Sequence, residues 1–167
     1  LDGVELRVRG LRERPLDTSD LSGEGVAVLF PWVDAVPLSW PGQVAAFPRA
    51  SLRHLVVPDG TWRQARRLLR RELLPLGVPC VNLPEGLPSL YSLRRRGEGN
   101  LCTLEATAAA LACLGEVEVS RGLLQRFARW VSLAAGYHAG QQPSGPSPSV
   151  ITHPMAKLLP EDLARVE

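Results

Sequence analysis

Three short, continuously apolar runs constrain this chain more than any other feature. Val26–Phe30 is closed by Pro31, Leu55–Val57 by Pro58 and Asp59-Gly60, and Val78–Leu83 is bounded by Pro79 and Pro84. Runs of this length, without polar alternation, suit strands buried on both faces. Helical patterns lie between and after them. Buried strands alternating with helices predict an α/β fold, a parallel sheet flanked by helices. One more strand is expected at Val4–Val8, in an otherwise charged and irregular start.

The clearest helix runs from Trp62 to Leu76. Trp62, Ala65, Leu69, Leu73 and Leu76 make one apolar stripe, while Arg63, Arg66, Arg67, Arg70 and Arg71 fall outside it. Thr61 with Gln64 fits a capping box, and Pro75 with Gly77 marks the end. A second helix, about Leu104–Leu114, is stopped by Gly115; its five alanines keep it narrow, so it can lie close to a neighbour. A third spans about Arg121–His138, with Leu123, Phe127, Val131 and Ala134 as its expected core face. The reading is of one domain over residues 1–140, a Pro/Ser/Gly linker over 141–149, and a tail over 150–167 with a short helix after Pro160.

Composition excludes some classes. At 45% hydrophobic and 22% charged, the chain can build a real core, so disorder is not expected over most of its length. A net charge of only +2 does not announce a nucleic-acid binder. The basic residues are nevertheless concentrated at Arg63–Arg71 and Arg94–Arg96, and Lys157 is the sole lysine. Arginine suits bidentate phosphate contacts and stacking on bases, although arginine-rich codon usage would give the same bias. The three cysteines, Cys80, Cys102 and Cys113, form no C-x-x-C pair, so no metal site is expected. An odd cysteine count with no signal peptide suits a reducing cytoplasm. No apolar run approaches the roughly 20 residues of a membrane span.

Two segments look unlike ordinary core. Asp59-Gly60-Thr61-Trp62 follows a predicted strand and opens a helix, where open parallel sheets bind ligands. It offers a carboxylate and a helix N-terminus. Plain capping by Asp59 and Thr61, with Trp62 in the core, would explain the same residues. The second segment, residues 83–106, carries Leu93, Arg94, Arg95 and Arg96 in a long loop before Leu101-Cys102-Thr103-Leu104-Glu105-Ala106. Long loops between core elements are commonly functional or disordered. Here too a solvated charged loop, a Thr103 cap and a Glu105 facing the helix dipole are the structural alternative.

With Arg63-Gln64-Ala65-Arg66 after it, Asp59-Gly60-Thr61-Trp62 resembles the D-x-T-W signature of the DTW-domain family. Leu83-Pro84, Leu93-Arg94-Arg95 and Leu101–Ala106 follow in the family's order, the last resembling its L-x-T-x-E-A segment. Upstream, Val28-Leu29-Phe30-Pro31 and Pro15-Leu16-Asp17 also fit. The ordered set, spanning about residues 10–140, carries the resemblance rather than any single motif. It implies a SPOUT-like α/β fold with a trefoil-knotted C-terminal half that holds S-adenosylmethionine. It also implies tRNA-uridine aminocarboxypropyl transfer, with a distant relative acting on ribosomal RNA. The chain departs from many members in lacking a cysteine-rich zinc-binding segment, in its short N-terminal region, and in its tail.

The resemblance implies transfer of the 3-amino-3-carboxypropyl group of S-adenosylmethionine to uridine N3, with methylthioadenosine released. Asp59 is the candidate to accept or hold the N3 proton. An ordinary aspartate, with a pKa of about 3.9, is a weak base, so orientation plus proton acceptance is favoured over strong base catalysis. Leu29, Phe30, Pro31, Leu83, Leu93 and Leu101 are expected cofactor walls. Trp62 is expected to pack against the cofactor or anchor its helix. Thr103 and Glu105 are expected near its amino-acid end, and Cys102 and Ala106 are further expected cofactor-binding residues. Arg63, Arg67, Arg94, Arg95 and Arg96 are candidates for RNA phosphate. The expected partner is tRNA, with the protein a monomer. Two other readings stay open: a SPOUT-type RNA methyltransferase, and a non-catalytic RNA-binding accessory domain.

Overall fold

The computed structural model describes residues 3–10, 13, 16–44, 46–90, 101–138 and 155. Its centre is a four-stranded sheet in which every pairing is parallel. The strands are β1 (Val26–Leu29), β2 (Val36–Pro37), β3 (His54–Val56) and β4 (Cys80–Asn82), in the order β2-β4-β1-β3. The three apolar runs supply β1, β3 and β4, each shorter than its run. Register is set by Val26↔His54 on one side of β1 and by Val28↔Cys80 on the other. All four residues of β1 are buried, as expected of a central parallel strand. β2 has only two residues and no apolar run of its own. It joins the edge through Val36↔Val81 and Pro37↔Asn82, and proline is tolerated there because an edge strand leaves one side unpaired. Val4–Val8 is not a strand: among the described residues it has no ladder partner, and Val4, Leu6 and Val8 are exposed.

Helices cover both faces. α1 (Trp62–Leu68) continues through a π turn at Leu69–Leu73 and a 3₁₀ turn at Leu74–Leu76. The predicted helix is therefore present to its last residue, but not as regular α-helix. Pro75 lacks an N–H and its ring crowds the preceding turn, so the α ladder cannot run on to Leu76. Gly77 then ends the segment at φ +71. Ala65, Leu69 and Leu73 pack against Val26, Val28, Phe30 and Cys80. On the opposite face, Ala110 and Cys113 of α2 (Thr103–Cys113) pack against Ala27, Leu29 and Val81. α3 (Val117–His138) lies against α2, whose fully buried Ala108, Ala109 and Ala112 permit the close approach. The architecture is thus α/β, a parallel sheet between helices.

α3 begins four residues before its expected start, where Ser120 N–H already donates to Glu116 O. Its core face is also turned slightly from expectation. Leu124 and Ala128 are fully buried, whereas Leu123 and Ala134 are only partly so. Val117, Leu124 and Phe127 keep helical spacing, so the buried stripe passes through Leu124. Met155 is fully buried in the cluster of Leu87, Ala108, Ala112, Val117 and Leu124. Otherwise the linker and tail expected over 141–167 lie outside the described residues.

The buried stripe through Leu124 predicts a clear contrast. Leu124→Ala should destabilise the fold by about 2–5 kcal/mol in denaturant unfolding. Leu123→Ala should cost less than half as much. Equal costs would contradict the assigned face.

Candidate functional site

Because the strands are parallel, their carboxyl ends share one edge. Phe30-Pro31 follows β1, Val57-Pro58-Asp59-Gly60 follows β3, and Leu83-Pro84 follows β4. This is the edge at which open α/β sheets bind ligands.

The turn into α1 is built by local chemistry. Thr61 is the N-cap: its Oγ1 accepts from Gln64 N–H at 3.3 Å, and Gln64 Oε1 accepts from Thr61 N–H at 2.9 Å. Gly60 lies at φ +135, and a Cβ there would meet Gln64 Oε1 at 3.2 Å. Capping is therefore complete without Asp59. Instead, Asp59 Oδ1 accepts a 2.6 Å hydrogen bond from Thr103 Oγ1, across 44 residues of sequence. Thr103 is free to donate because Cys102, one residue earlier, is the N-cap of α2. The two motif segments thus meet through their polar side chains. Asp59 is exposed.

Glu105 behaves differently from an acid waiting at a helix terminus. It is fully buried. Its carboxylate accepts from Ser89 Oγ at 2.8 Å, Leu90 N–H at 2.7 Å and Cys102 N–H at 2.9 Å. Leu90 and Cys102 stand at the two ends of the intervening segment, so one carboxylate draws both ends to the start of α2. Burial pushes the neighbouring Cys102 thiol up to about 11. It is therefore protonated near neutral pH and suits a wall rather than a nucleophile.

Of the other expected wall residues, Phe30 and Trp62 meet edge to face, with centroids 5.6 Å apart. Trp62 is 48% exposed, so it roofs Phe30 instead of entering the core. The Trp32 ring is tilted against Phe30, with centroids 6.5 Å apart. Leu83 and Leu101 are partly buried beside the α2–α3 cluster, and Ala106 and Leu29 pack between the sheet and α2. Pro31 is exposed. Leu93, Arg94, Arg95 and Arg96 lie outside the described residues. Arg63 and Arg67 are exposed, as are Arg66, Arg70 and Arg71, and none of the five is in an ion pair with a described residue.

Sequence reasoning passed over Asn82. It ends β4 at the same sheet edge, and its Oδ1 is sealed from solvent with no hydrogen-bond partner. A buried amide oxygen left in that state costs about 1–3 kcal/mol. The available signal was a lone amide in an otherwise apolar run, Val81-Asn82-Leu83. An apolar cavity of about 250 Å³, lined by Gly25, Phe47 and Pro79, lies at the opposite, amino-terminal end of β1. None of the residues singled out above lines it. Among the described residues, no group of three His, Cys, Asp or Glu side chains is placed to hold a metal ion, and no helix is long and apolar enough to cross a membrane.

The fold and site together define an α/β domain with a polar junction and an aromatic wall at the carboxyl edge of a parallel sheet. The DTW domain matches the chain over residues 11–135, and the chain belongs to that family. No solved structure matches it.

Removing the Glu105 carboxylate should loosen the start of α2. Glu105→Ala strands three part-buried donors and should cost on the order of 3 kcal/mol. Amide exchange at both Leu90 and Cys102 should speed up. Unchanged exchange at either amide would contradict the clasp.

Proposed function

We propose that this protein is a tRNA-uridine aminocarboxypropyltransferase with a SPOUT-like fold, knotted in its C-terminal half. The observation that carries this reading is the Thr103–Asp59 hydrogen bond, which joins the D-x-T-W and L-x-T-x-E-A segments at the ligand-binding edge of the sheet. The burial of Met155 against α2 and α3 supports a tail that returns to the domain.

The residues present suit an adenosyl sulfonium. Phe30 and the half-exposed Trp62 provide an aromatic wall, and the protonated Cys102 offers no thiolate to be alkylated. S-adenosylmethionine supplies an electrophilic carbon whose bond to sulfur breaks as uridine N3 bonds to it, the electron pair leaving on neutral methylthioadenosine. Asp59 holds the imide N–H and takes the N3 proton. Thr103 fixes one carboxylate oxygen and so directs the other outward. Positioning is the main demand on the protein, because the leaving group is already good. Exposed Arg63 and Arg67 hold RNA phosphate, contacts that orient the substrate without reading its sequence.

Release of methylthioadenosine from S-adenosylmethionine, in the presence of unmodified tRNA, tests these roles. Asp59→Asn should lower turnover about 10²-fold or more. Thr103→Val should lower it about tenfold, with Thr103→Ser restoring most of it. Asp59 is exposed, so water replaces the lost hydroxyl and Thr103→Val should cost less than about 1 kcal/mol of stability. Full turnover by Asp59→Asn would remove Asp59 from the mechanism. S-adenosylhomocysteine as the product would point instead to a methyltransferase.

A further inference from the structure

Asn82 is the one amide residue of β4, and no described residue donates to its side-chain oxygen. Its backbone carbonyl accepts from Leu38 N–H at 2.8 Å, as any residue's would. Its side-chain Oδ1 is sealed and has no donor. Native interiors seldom leave such an acceptor orphaned, and a missing ligand is among the standard reasons.

Its position identifies the surroundings. Val28↔Cys80 and Leu29↔Val81 continue to Phe30 beside Asn82, and Phe30 N–H donates to Val81 O at 3.0 Å. Strand alternation puts Asn82 on the sheet face of Cys80, which is also the face of Val28 and Phe30. Phe30 is flanked there by Trp62 and Trp32. A donor-seeking oxygen therefore ends β4 beside an aromatic group that is part open to solvent.

We propose that Asn82 reads a nucleobase, its Oδ1 accepting from a base N–H while the base packs on the aromatic group. An apolar aromatic wall matches the face of a base, and a single fixed acceptor matches one N–H on its edge. Two sources carry that chemistry: the adenine of the sulfonium donor, through its exocyclic amine, and a base of the acceptor RNA. The inference rests on the proposed function, which brings both to this edge.

Calorimetry on the full chain separates the sources. The ligands are 5′-methylthioadenosine, 5′-methylthioinosine (which replaces the amine with a carbonyl) and a single-stranded uridine-containing RNA. The proteins are wild type, Asn82→Leu and Asn82→Asp. If the donor's adenine is read, wild type binds methylthioadenosine at least tenfold tighter than methylthioinosine. Asn82→Leu abolishes that preference and Asn82→Asp, which keeps an acceptor, retains it. If an RNA base is read, the nucleosides bind alike and Asn82→Leu instead loses at least tenfold in RNA affinity. Asn82→Leu should unfold at no lower denaturant concentration than wild type, because it removes a buried orphan. Methylthioadenosine binding with the same preference and the same RNA affinity in wild type and Asn82→Leu overturns the role of Asn82 and leaves the proposed function standing. Failure of wild type to bind any of the ligands overturns both.

Discussion

The hydrogen bond from Thr103 to Asp59 depends on the whole architecture being right. Parallel pairing must bring the end of β3 to the same edge as the other strand ends, α1 must be capped without Asp59, and α2 must start at Cys102 so that the Thr103 hydroxyl is not needed as its cap. Each condition is met by a local interaction: the Thr61–Gln64 box, the positive φ of Gly60, and the Glu105 carboxylate on Cys102 N–H. A hydroxyl-to-carboxylate bond at the surface adds little to stability, since water competes for both groups. Its consequence is geometric: a carboxylate on a loop acquires a fixed direction.

Glu105 has the opposite character. A fully buried carboxylate is tolerated only with several donors, and here the donors come from both ends of the segment preceding α2. The site thus separates two tasks between two acids. Glu105 is sealed and supports the backbone, while Asp59 is exposed. The exposed arginine face of α1 begins one turn from Asp59, so a polyanion held there would lie close to that carboxylate.

Much of this was legible in the sequence where a strong physical pattern coincided with a motif. Continuous apolar runs between prolines marked β1, β3 and β4, and the Thr61–Gln64 box was visible from spacing alone. β2 was not, because a two-residue edge strand made of Val36-Pro37 has neither length nor alternation and exists only through its pairing with β4. The π turn was hidden because an apolar stripe at helical spacing does not report how the backbone passes Pro75. Leu123 was favoured over Leu124 because neighbouring leucines satisfy nearly the same periodicity, and only contact with α2 decides between them. Spacing places Glu105 at the start of α2, near the expected amino-acid end of the cofactor or facing the helix dipole. Its bonds to Ser89 and Leu90 are tertiary, and spacing within α2 could not reveal them. Asn82 carried no periodic signal; a lone amide in an apolar run was its one mark in the sequence, and its unsatisfied oxygen shows only in the packed sheet.

The most direct measurement follows isotope from donor to RNA. S-adenosylmethionine labelled with carbon-13 either in its methyl group or in its aminocarboxypropyl arm is incubated with the protein and unmodified tRNA, and nucleosides and small molecules are resolved by mass spectrometry. The account predicts arm label in a modified uridine and methyl label retained in methylthioadenosine. Methyl label in the RNA, with arm label left in S-adenosylhomocysteine, would contradict it.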